Sequence, residues 1–177
     1  MLRFIVGLFI VSATMQAHGI AENDFRFGVL AGNFMPQGAL AAGGNGIGYG
    51  LHFAYMFSDD LVYEMDFLSS SAGDLTHTGL GINISNYYEA FRNIYLSYTG
   101  GMTLILNSLT SGTDTAAANG VGLGGGAGID FDLSSQFVAG FQVRYYYGLP
   151  VKKQLSGSDV TVVDSFVTIL SRIAYVY

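Results

Sequence analysis

The sequence of 177 residues contains no cysteine and no tryptophan, only two prolines, and 11% charged residues. Without cysteine the protein has no disulfide, no thiolate nucleophile, no cysteine-based zinc site and no cysteine for lipid attachment. Soluble domains average about 25% charged residues, so this scarcity of charge argues against an ordinary water-exposed surface. The aromatic content of 14% argues against a disordered chain. Composition therefore favours a membrane or secreted protein.

Positive charge is especially scarce. The chain has seven Lys and Arg against thirteen Asp and Glu, a formal net charge of −6 and a pI of about 4.7. Nucleic-acid binding needs clustered cations that neutralise phosphates, so we expect no nucleic-acid partner. The sequence also shows no cofactor motif in a suitable context, and we expect no cofactor.

The chain also lacks a long apolar run. Residues 1–21 carry one positive charge at Arg3, a short apolar stretch, and the small residues Gly19 and Ala21 at the −3 and −1 positions of a cleavage site. This pattern predicts a cleavable signal peptide ending before Glu22. The alternative is a transmembrane helix, but an apolar core of about ten residues is shorter than the roughly 20 needed to span a bilayer. Residues 22–177 then form one domain.

In that domain, large apolar residues recur at every second position. The clearest segment is 47–57, where Ile47, Phe53 and Phe57 share one face with three further apolar residues, while His52 and glycines lie on the other. Strict alternation of this kind predicts a β-strand. The same pattern recurs at 25–32, 61–70, 121–131, 137–147 and 163–177.

Two less regular segments, 88–98 and 102–109, bring the number of predicted strands to eight. Short turns are predicted near 58–60, 99–101 and 133–136, and longer connections near 35–46, 72–87, 110–120 and 149–162. The segments 88–98 and 102–109 settle on no single parity, because one choice turns Arg92 outward and the other exposes Asn93 and Ser97 to lipid. A bulge near Asn93 would reconcile the two. Parity in this hairpin is left open.

The fold class that follows is all-β: an eight-stranded antiparallel up-and-down transmembrane β-barrel preceded by a cleavable signal peptide. A soluble lipocalin-like barrel would turn the aromatic faces inward and show water the other faces. Those other faces consist largely of Gly and Ala, which would make a poor soluble surface, and the aromatic faces together exceed what a small barrel can hold. We therefore expect the aromatic faces to meet lipid.

Alternation places six charged residues inside the barrel. A charge facing lipid at mid-depth costs about 2–4 kcal/mol, whereas opposite charges in a narrow lumen can pair. The predicted luminal polar network consists of Arg26, Glu64, Asp66, Asp130, Arg144 and Arg172. Its simplest role is a plug that closes the barrel, and the alternative is a gate or narrow ion path.

Catalytic and metal sites find little support. His52 is predicted to point inward and His77 to lie in a loop near Asp74 and Ser69 to Ser71, but no spacing brings a His, a Ser and an acid together. Two histidines without cysteine also make a poor metal site. The stretch Gly122 to Ala127 matches a dinucleotide-binding pattern, yet a strand follows it where a helix is required. We expect neither an enzyme nor a metal protein.

Three features carry a resemblance to a known family: the stretch Gly124 to Leu133, the later Arg144-Tyr145, and the C-terminal Tyr175-Val176-Tyr177. With the signal peptide and the alternation, the chain resembles the small eight-stranded outer-membrane β-barrels of the OmpA, OmpX and opacity-protein type. The resemblance implies a Gram-negative outer membrane and a C-terminal assembly signal, Tyr175 and Tyr177, read by the barrel-assembly machinery. A terminal Tyr where Phe is commoner and the absence of Trp are departures from the pattern.

The partners expected on this basis are outer-membrane lipid, lipopolysaccharide and, during biogenesis, the assembly machinery, with the protein itself a monomer. The first functional hypothesis is a structural or surface-interaction role through long extracellular loops. The second is passage of small hydrophobic compounds or ions, and the third is a lipid-modifying enzyme. A hydrophobic passage requires apolar inward residues near the loops, where the sequence shows mainly glycines such as those at 28–32 and 122–126.

Overall fold

The computed structural model describes residues 23–177, so the signal peptide predicted for residues 1–21 lies outside the described residues. Eight strands form a closed antiparallel barrel, and two further strands form a separate hairpin. In chain order the elements are β1 (Phe25–Pro36), a 3₁₀ helix (Gly38–Gly43), β2 (Gly46–Met56), β3 (Leu61–Ala72), β4 (Leu75–Phe91), β5 (Ile94–Ser111), β6 (Asp114–Asp132), β7 (Phe137–Gly148), β8 (Val151–Leu155), β9 (Ser158–Val163) and β10 (Phe166–Val176). No helix in residues 23–177 is long and apolar enough to cross a membrane.

The barrel closes between its first and last strands. β1 pairs with both β10 and β2, and Phe27 lies opposite Tyr175. At the chain end, the Phe25 amide donates to the Tyr177 carbonyl at 3.1 Å, and the Tyr177 amide donates to the Phe25 carbonyl at 2.8 Å. Every barrel strand therefore has two neighbours, which confirms the predicted eight-stranded antiparallel barrel.

Outward and inward faces alternate as the sequence predicts. On β2, Ile47 is 70% exposed and Tyr49 63%, whereas His52 and Ala54, which have the opposite parity, are buried. The outward side chains form an apolar band around the barrel that includes Val29, Ile82, Leu104, Phe141 and Ile173. A band of this kind is stable only against lipid.

The middle hairpin differs from the sequence prediction. Its turn is Arg92-Asn93, where Asn93 has φ 66°, and residues 99–101 lie inside β5. With the turn at this position Arg92 is exposed in the connection, and Leu96, Met102 and Leu104 all face outward. The register shift lies in β4 between Glu89 and Phe91. The predicted turn at 99–101 is therefore wrong, and β5 keeps one parity throughout.

The long connections are also shorter than predicted. Residues 75–87 belong to β4, residues 114–120 belong to β6, and the 149–162 segment contains the β8–β9 hairpin. Residues 114–120 of β6 carry only polar or small side chains, because they continue above the apolar band, whereas β4 places Leu80, Ile82 and Ile84 within the band. Strands β4, β5 and β6 have 17, 18 and 19 residues, against 12 in β1, so one wall of the barrel projects on the side of the long connections, taken as extracellular.

The projecting wall forms an ordered extracellular lobe, which we define as residues 105–120, the β8–β9 hairpin and the 3₁₀ helix. The hairpin lies against the inner side of β5 and β6, where Ala116 and Ala118 leave room for it. Hydrogen bonds fix the lobe internally: Asn107 Nδ2 donates to the Val162 carbonyl at 2.7 Å, and Ser156 Oγ donates to Asp114 Oδ2 at 2.6 Å. The extracellular mouth is therefore covered by folded chain.

Gly126 in β6 lies where two strands leave no room for a side chain. A Cβ added there would lie 2.1 Å from the Val143 carbonyl oxygen and 2.8 Å from Arg144 Cγ. We expect Gly126→Ala to lower the free energy of unfolding by about 1–3 kcal/mol, because the backbone of β7 must shift. The matched control is Gly100→Ala, whose added Cβ meets nothing closer than 3.9 Å. Urea unfolding in detergent micelles measures both, and equal midpoints would contradict the prediction.

Candidate functional site

The six charged residues predicted to face the lumen come from five strands and meet in its periplasmic half. Each is at most 7% exposed. They are Arg26 on β1, Glu64 and Asp66 on β3, Asp130 on β6, Arg144 on β7 and Arg172 on β10. The structure brings all six into one ion-pair network of three cations and three anions.

Arg172 and Asp130 form the first half of the network. Arg172 Nη2 donates to both carboxylate oxygens of Asp130, at 2.7 and 2.5 Å. Arg26 Nη1 reaches the same carboxylate at 3.2 Å, and Arg172 Nη1 lies 3.6 Å from Glu64 Oε1. A buried carboxylate held by two guanidinium groups keeps its charge compensated.

Arg144 forms the second half. Its guanidinium donates to the carboxylates of both Glu64 and Asp66. Glu64 thus lies between Arg144 and Arg172 and joins the two halves. The network connects opposite walls of the barrel and fills the lumen at this depth.

Three neutral side chains complete the network, and sequence reasoning did not link them to it. His52 Nδ1 lies 2.6 Å from Asp66 Oδ1, and Arg172 Nη1 lies 2.9 Å from His52 Nε2. Because a guanidinium can only donate, Nε2 is the acceptor and Nδ1 carries the proton. Tyr87 accepts from Arg172 Nη2 at 2.9 Å and donates to Glu64 at 3.1 Å. Asn83 donates to Asp66 at 3.5 Å.

Tyr87 and Asn83 could not be found from the sequence because both fall in a stretch predicted as a loop, which the structure places in β4. Inward parity is the only sequence signal that marks them.

The grouping of His52, Glu64 and Asp66 also has the composition of a cation site, since one ligand atom from each lies within 4.8 Å of the others. Arg144 contacts both of these carboxylates, and Arg172 uses the lone pair of His52 Nε2. The positive charge that a metal ion would supply is therefore provided by arginine.

Above the network the lumen is lined mainly by large apolar side chains, whereas the sequence predicts mainly glycines there. Side chains from seven barrel strands pack with the β8–β9 hairpin and the 3₁₀ helix. The larger buried members are Leu30, Phe34, Leu40, Leu68, Leu75, Ile105, Tyr146, Leu155, Val162, Val163, Phe166 and Leu170. We call this set the upper apolar cluster. The lumen thus holds a charged layer beneath the upper apolar cluster, and a smaller apolar group is buried at its periplasmic end: Ala54, Met56, Val62, Tyr87 and Tyr95.

His77 lies in this upper region and not in a loop as the sequence suggested. It is 1% exposed on β4, its ring stacks on Phe34 with centroids 4.5 Å apart, and Phe166 approaches it edge-on at 4.7 Å. Its Nδ1 hydrogen bonds to the amide of Asn107 at 2.8 Å rather than to a carboxylate, and Asp74 is exposed in the β3–β4 turn. Ser70 lies opposite His77 in the β3–β4 register, but within residues 23–177 neither Ser70 Oγ nor His77 Nε2 has a hydrogen-bond partner, so the His, Ser and acid weighed as a catalytic group are not linked by hydrogen bonds.

The fold is shared with solved outer-membrane proteins. OprG from Pseudomonas aeruginosa superposes with a TM-score of 0.67 at 16% identity, covering 92% of this chain and 99% of that chain. Neisserial surface protein A gives 0.66 at 12% identity, covering 86% and 96%. The N-terminal barrel domain of Pseudomonas aeruginosa OprF gives 0.65 at 11% identity, covering 88% and 98%. No protein-family model matches the sequence, and no curated protein matches it.

The closed eight-stranded barrel, its apolar outward band and its filled lumen define a small integral β-barrel of the bacterial outer membrane. At identities of 11–16% these likenesses establish the fold. The particular role has to be argued from the lumen and the extracellular lobe of this chain.

Proposed function

We propose that the protein is a closed membrane anchor that displays its extracellular lobe to a partner outside the cell. The observation that carries this proposal is the double filling of the lumen, since the ion-pair network and the upper apolar cluster occupy the interior of the described barrel with buried side chains. An eight-stranded barrel is just wide enough to be filled by its own side chains. The filled barrel then serves to hold the extracellular lobe at the cell surface.

The lobe suits display because it is ordered and partly charged. Its exposed tips carry Asp114 and Asp159, and the two lysines of the sequence, Lys152 and Lys153, are exposed on β8. A prearranged surface binds with less loss of conformational entropy than a mobile loop. Two solved barrels of similar fold have surface roles in their names: Neisserial surface protein A, and the attachment invasion locus protein of Yersinia pestis, with a TM-score of 0.59 at 16% identity.

Reconstitution into planar bilayers and liposomes tests the anchor directly. We expect no single-channel current and no uptake of a hydrophobic solute above protein-free liposomes, measured on one preparation. Folding in that preparation is checked by the different migration of boiled and unboiled samples on SDS gels. Steady ionic current from folded protein would show an ion path and overturn the anchor.

A second candidate function is passage of small hydrophobic compounds, and one observation favours it. The upper apolar cluster places apolar inward residues such as Phe34, Phe166 and Leu170 beneath the loops, where such a passage would begin. In this role the β8–β9 hairpin would have to move aside. Solute uptake without ionic current in the same assay would support this candidate over the anchor.

The proposed partners follow from the setting. The outward band contacts lipid, and the outer end of the barrel lies among lipopolysaccharide. The C-terminal assembly signal, Tyr175 and Tyr177, would be read by the barrel-assembly machinery before β10 pairs with β1. Because β1 and β10 close the barrel within one chain, we propose a monomer.

A further inference from the structure

A small cavity lies between the two layers of the lumen. Its volume is about 30 Å³, which accommodates roughly two to three water-sized groups. Leu30, Phe166 and Leu170 line its apolar side, and His77, Gln142 and Arg144 line its polar side. The cavity is therefore amphipathic.

The proton position on His77 follows from its neighbours. Asn107 Nδ2 donates to the Val162 carbonyl at 2.7 Å, which fixes the orientation of the amide. Asn107 Oδ1 then faces His77 Nδ1 at 2.8 Å and can only accept, so Nδ1 carries the proton. In the neutral ring, Nε2 is left with a free lone pair. Within residues 23–177 this buried atom has no hydrogen-bond partner.

Two donors on residues that line the cavity are also unused. Gln142 Nε2 and Arg144 Nε are buried and find no acceptor among the described residues. Leaving a buried polar atom without a partner costs about 1–3 kcal/mol, so one acceptor and two donors on residues around one cavity indicate that the cavity binds a polar group. The group must both donate to His77 and accept a hydrogen bond, as a hydroxyl does.

We propose that this cavity is a binding site for a short-chain neutral alcohol. The hydroxyl donates to His77 Nε2 and accepts from Gln142 or Arg144, while the carbon atoms lie against Leu30 and Phe166. A neutral ligand is required because Arg144 is already balanced by Glu64 and Asp66. The apolar wall favours an alkyl group over a second water molecule. The site does not depend on the anchor role.

The test uses protein in lipid nanodiscs, labelled with ¹⁵N in its histidine rings and titrated with ethanol. The Nε2 resonance of His77 is expected to move upfield to saturation as the nitrogen gains a hydrogen bond. His52 is the internal reference, because both of its ring nitrogens are already engaged. Chloroethane has a similar size without the hydroxyl and should leave His77 Nε2 unmoved.

Gly79→Ala keeps the histidine but fills the space beside its free nitrogen, since the added Cβ would lie 3.0 Å from His77 Nε2. We expect it to weaken ethanol binding at least about tenfold, equivalent to about 1.4 kcal/mol. Gly100→Ala is the matched control and should bind as the wild type does. If Gly79→Ala does not fold, Gly81→Ala narrows the same cavity, with its Cβ 3.3 Å from Asn83 Nδ2.

An unsaturable ethanol response, an equal response to chloroethane, or unchanged affinity in the folded blocking variant would each overturn the site. None of these results concerns conductance, so they leave the proposed anchor role to its own test.

Discussion

Replacing Arg172 with alanine is expected to lower the free energy of unfolding of the barrel by about 3–5 kcal/mol. Removing this guanidinium leaves Asp130 with Arg26 as its remaining cation and takes one donor each from His52 and Tyr87. A buried charge or acceptor that loses its partner costs far more than the ion pair contributed, because water cannot replace the partner inside the lumen.

Urea unfolding in micelles, followed by the SDS-gel shift, measures this effect. The matched control is Arg92→Ala, which removes the same side chain from the exposed β4–β5 turn and should change stability by less than about 0.5 kcal/mol. The Arg172→Ala variant is also placed in planar bilayers, because loss of the plug can raise conductance. Unchanged unfolding together with unchanged currents would show that Arg172 neither holds nor seals the barrel.

Removal of the β8–β9 hairpin is the second change with a large expected effect. A short Gly-Ser linker in place of residues 151–162 uncovers the upper apolar cluster, because Leu155 and Val162 are its lid. We expect a several-fold gain in the fluorescence of an apolar dye and the onset of hydrophobic-solute uptake. Ionic current should stay absent, because the charged layer beneath is untouched.

A control for this deletion alters only the β5–β6 tip. Replacing Thr113 with serine changes one exposed residue and leaves the hairpin in place. Equal dye fluorescence in the two variants would contradict a lid. Ionic current after hairpin removal alone would show that the lower network does not close the lumen.

The barrel could be predicted because its outward residues are large and alternate without interruption, as along β2 and β7. The middle hairpin could not, because Thr99-Gly100-Gly101 has the composition of a turn yet continues as strand. The true turn contains neither Gly nor Pro, and Asn93 reaches positive φ because its side chain tolerates that region.

The luminal charges could be named from parity, but their pairing could not. Which cation meets which anion depends on strand register and tilt, and Arg144 joins Glu64 and Asp66 from the far side of the barrel. The positions of His77 and Tyr87 could not be predicted because many residues of β4 are polar, and the segment therefore resembles a loop. The extensions of β5 and β6 rise above the membrane, where no apolar alternation marks a strand.

The balance of the luminal network has a consequence for the direction of insertion. Because three arginines and three acids neutralise one another inside, the net charge of the described chain resides at its two ends. The periplasmic end holds the five acids Asp24, Asp59, Asp60, Glu89 and Asp132 with Arg92. The outer end holds Asp74, Asp114, Asp159 and Asp164 with Lys152 and Lys153. The end that must cross the bilayer during assembly carries the smaller net charge, so transferring it costs less than transferring the other.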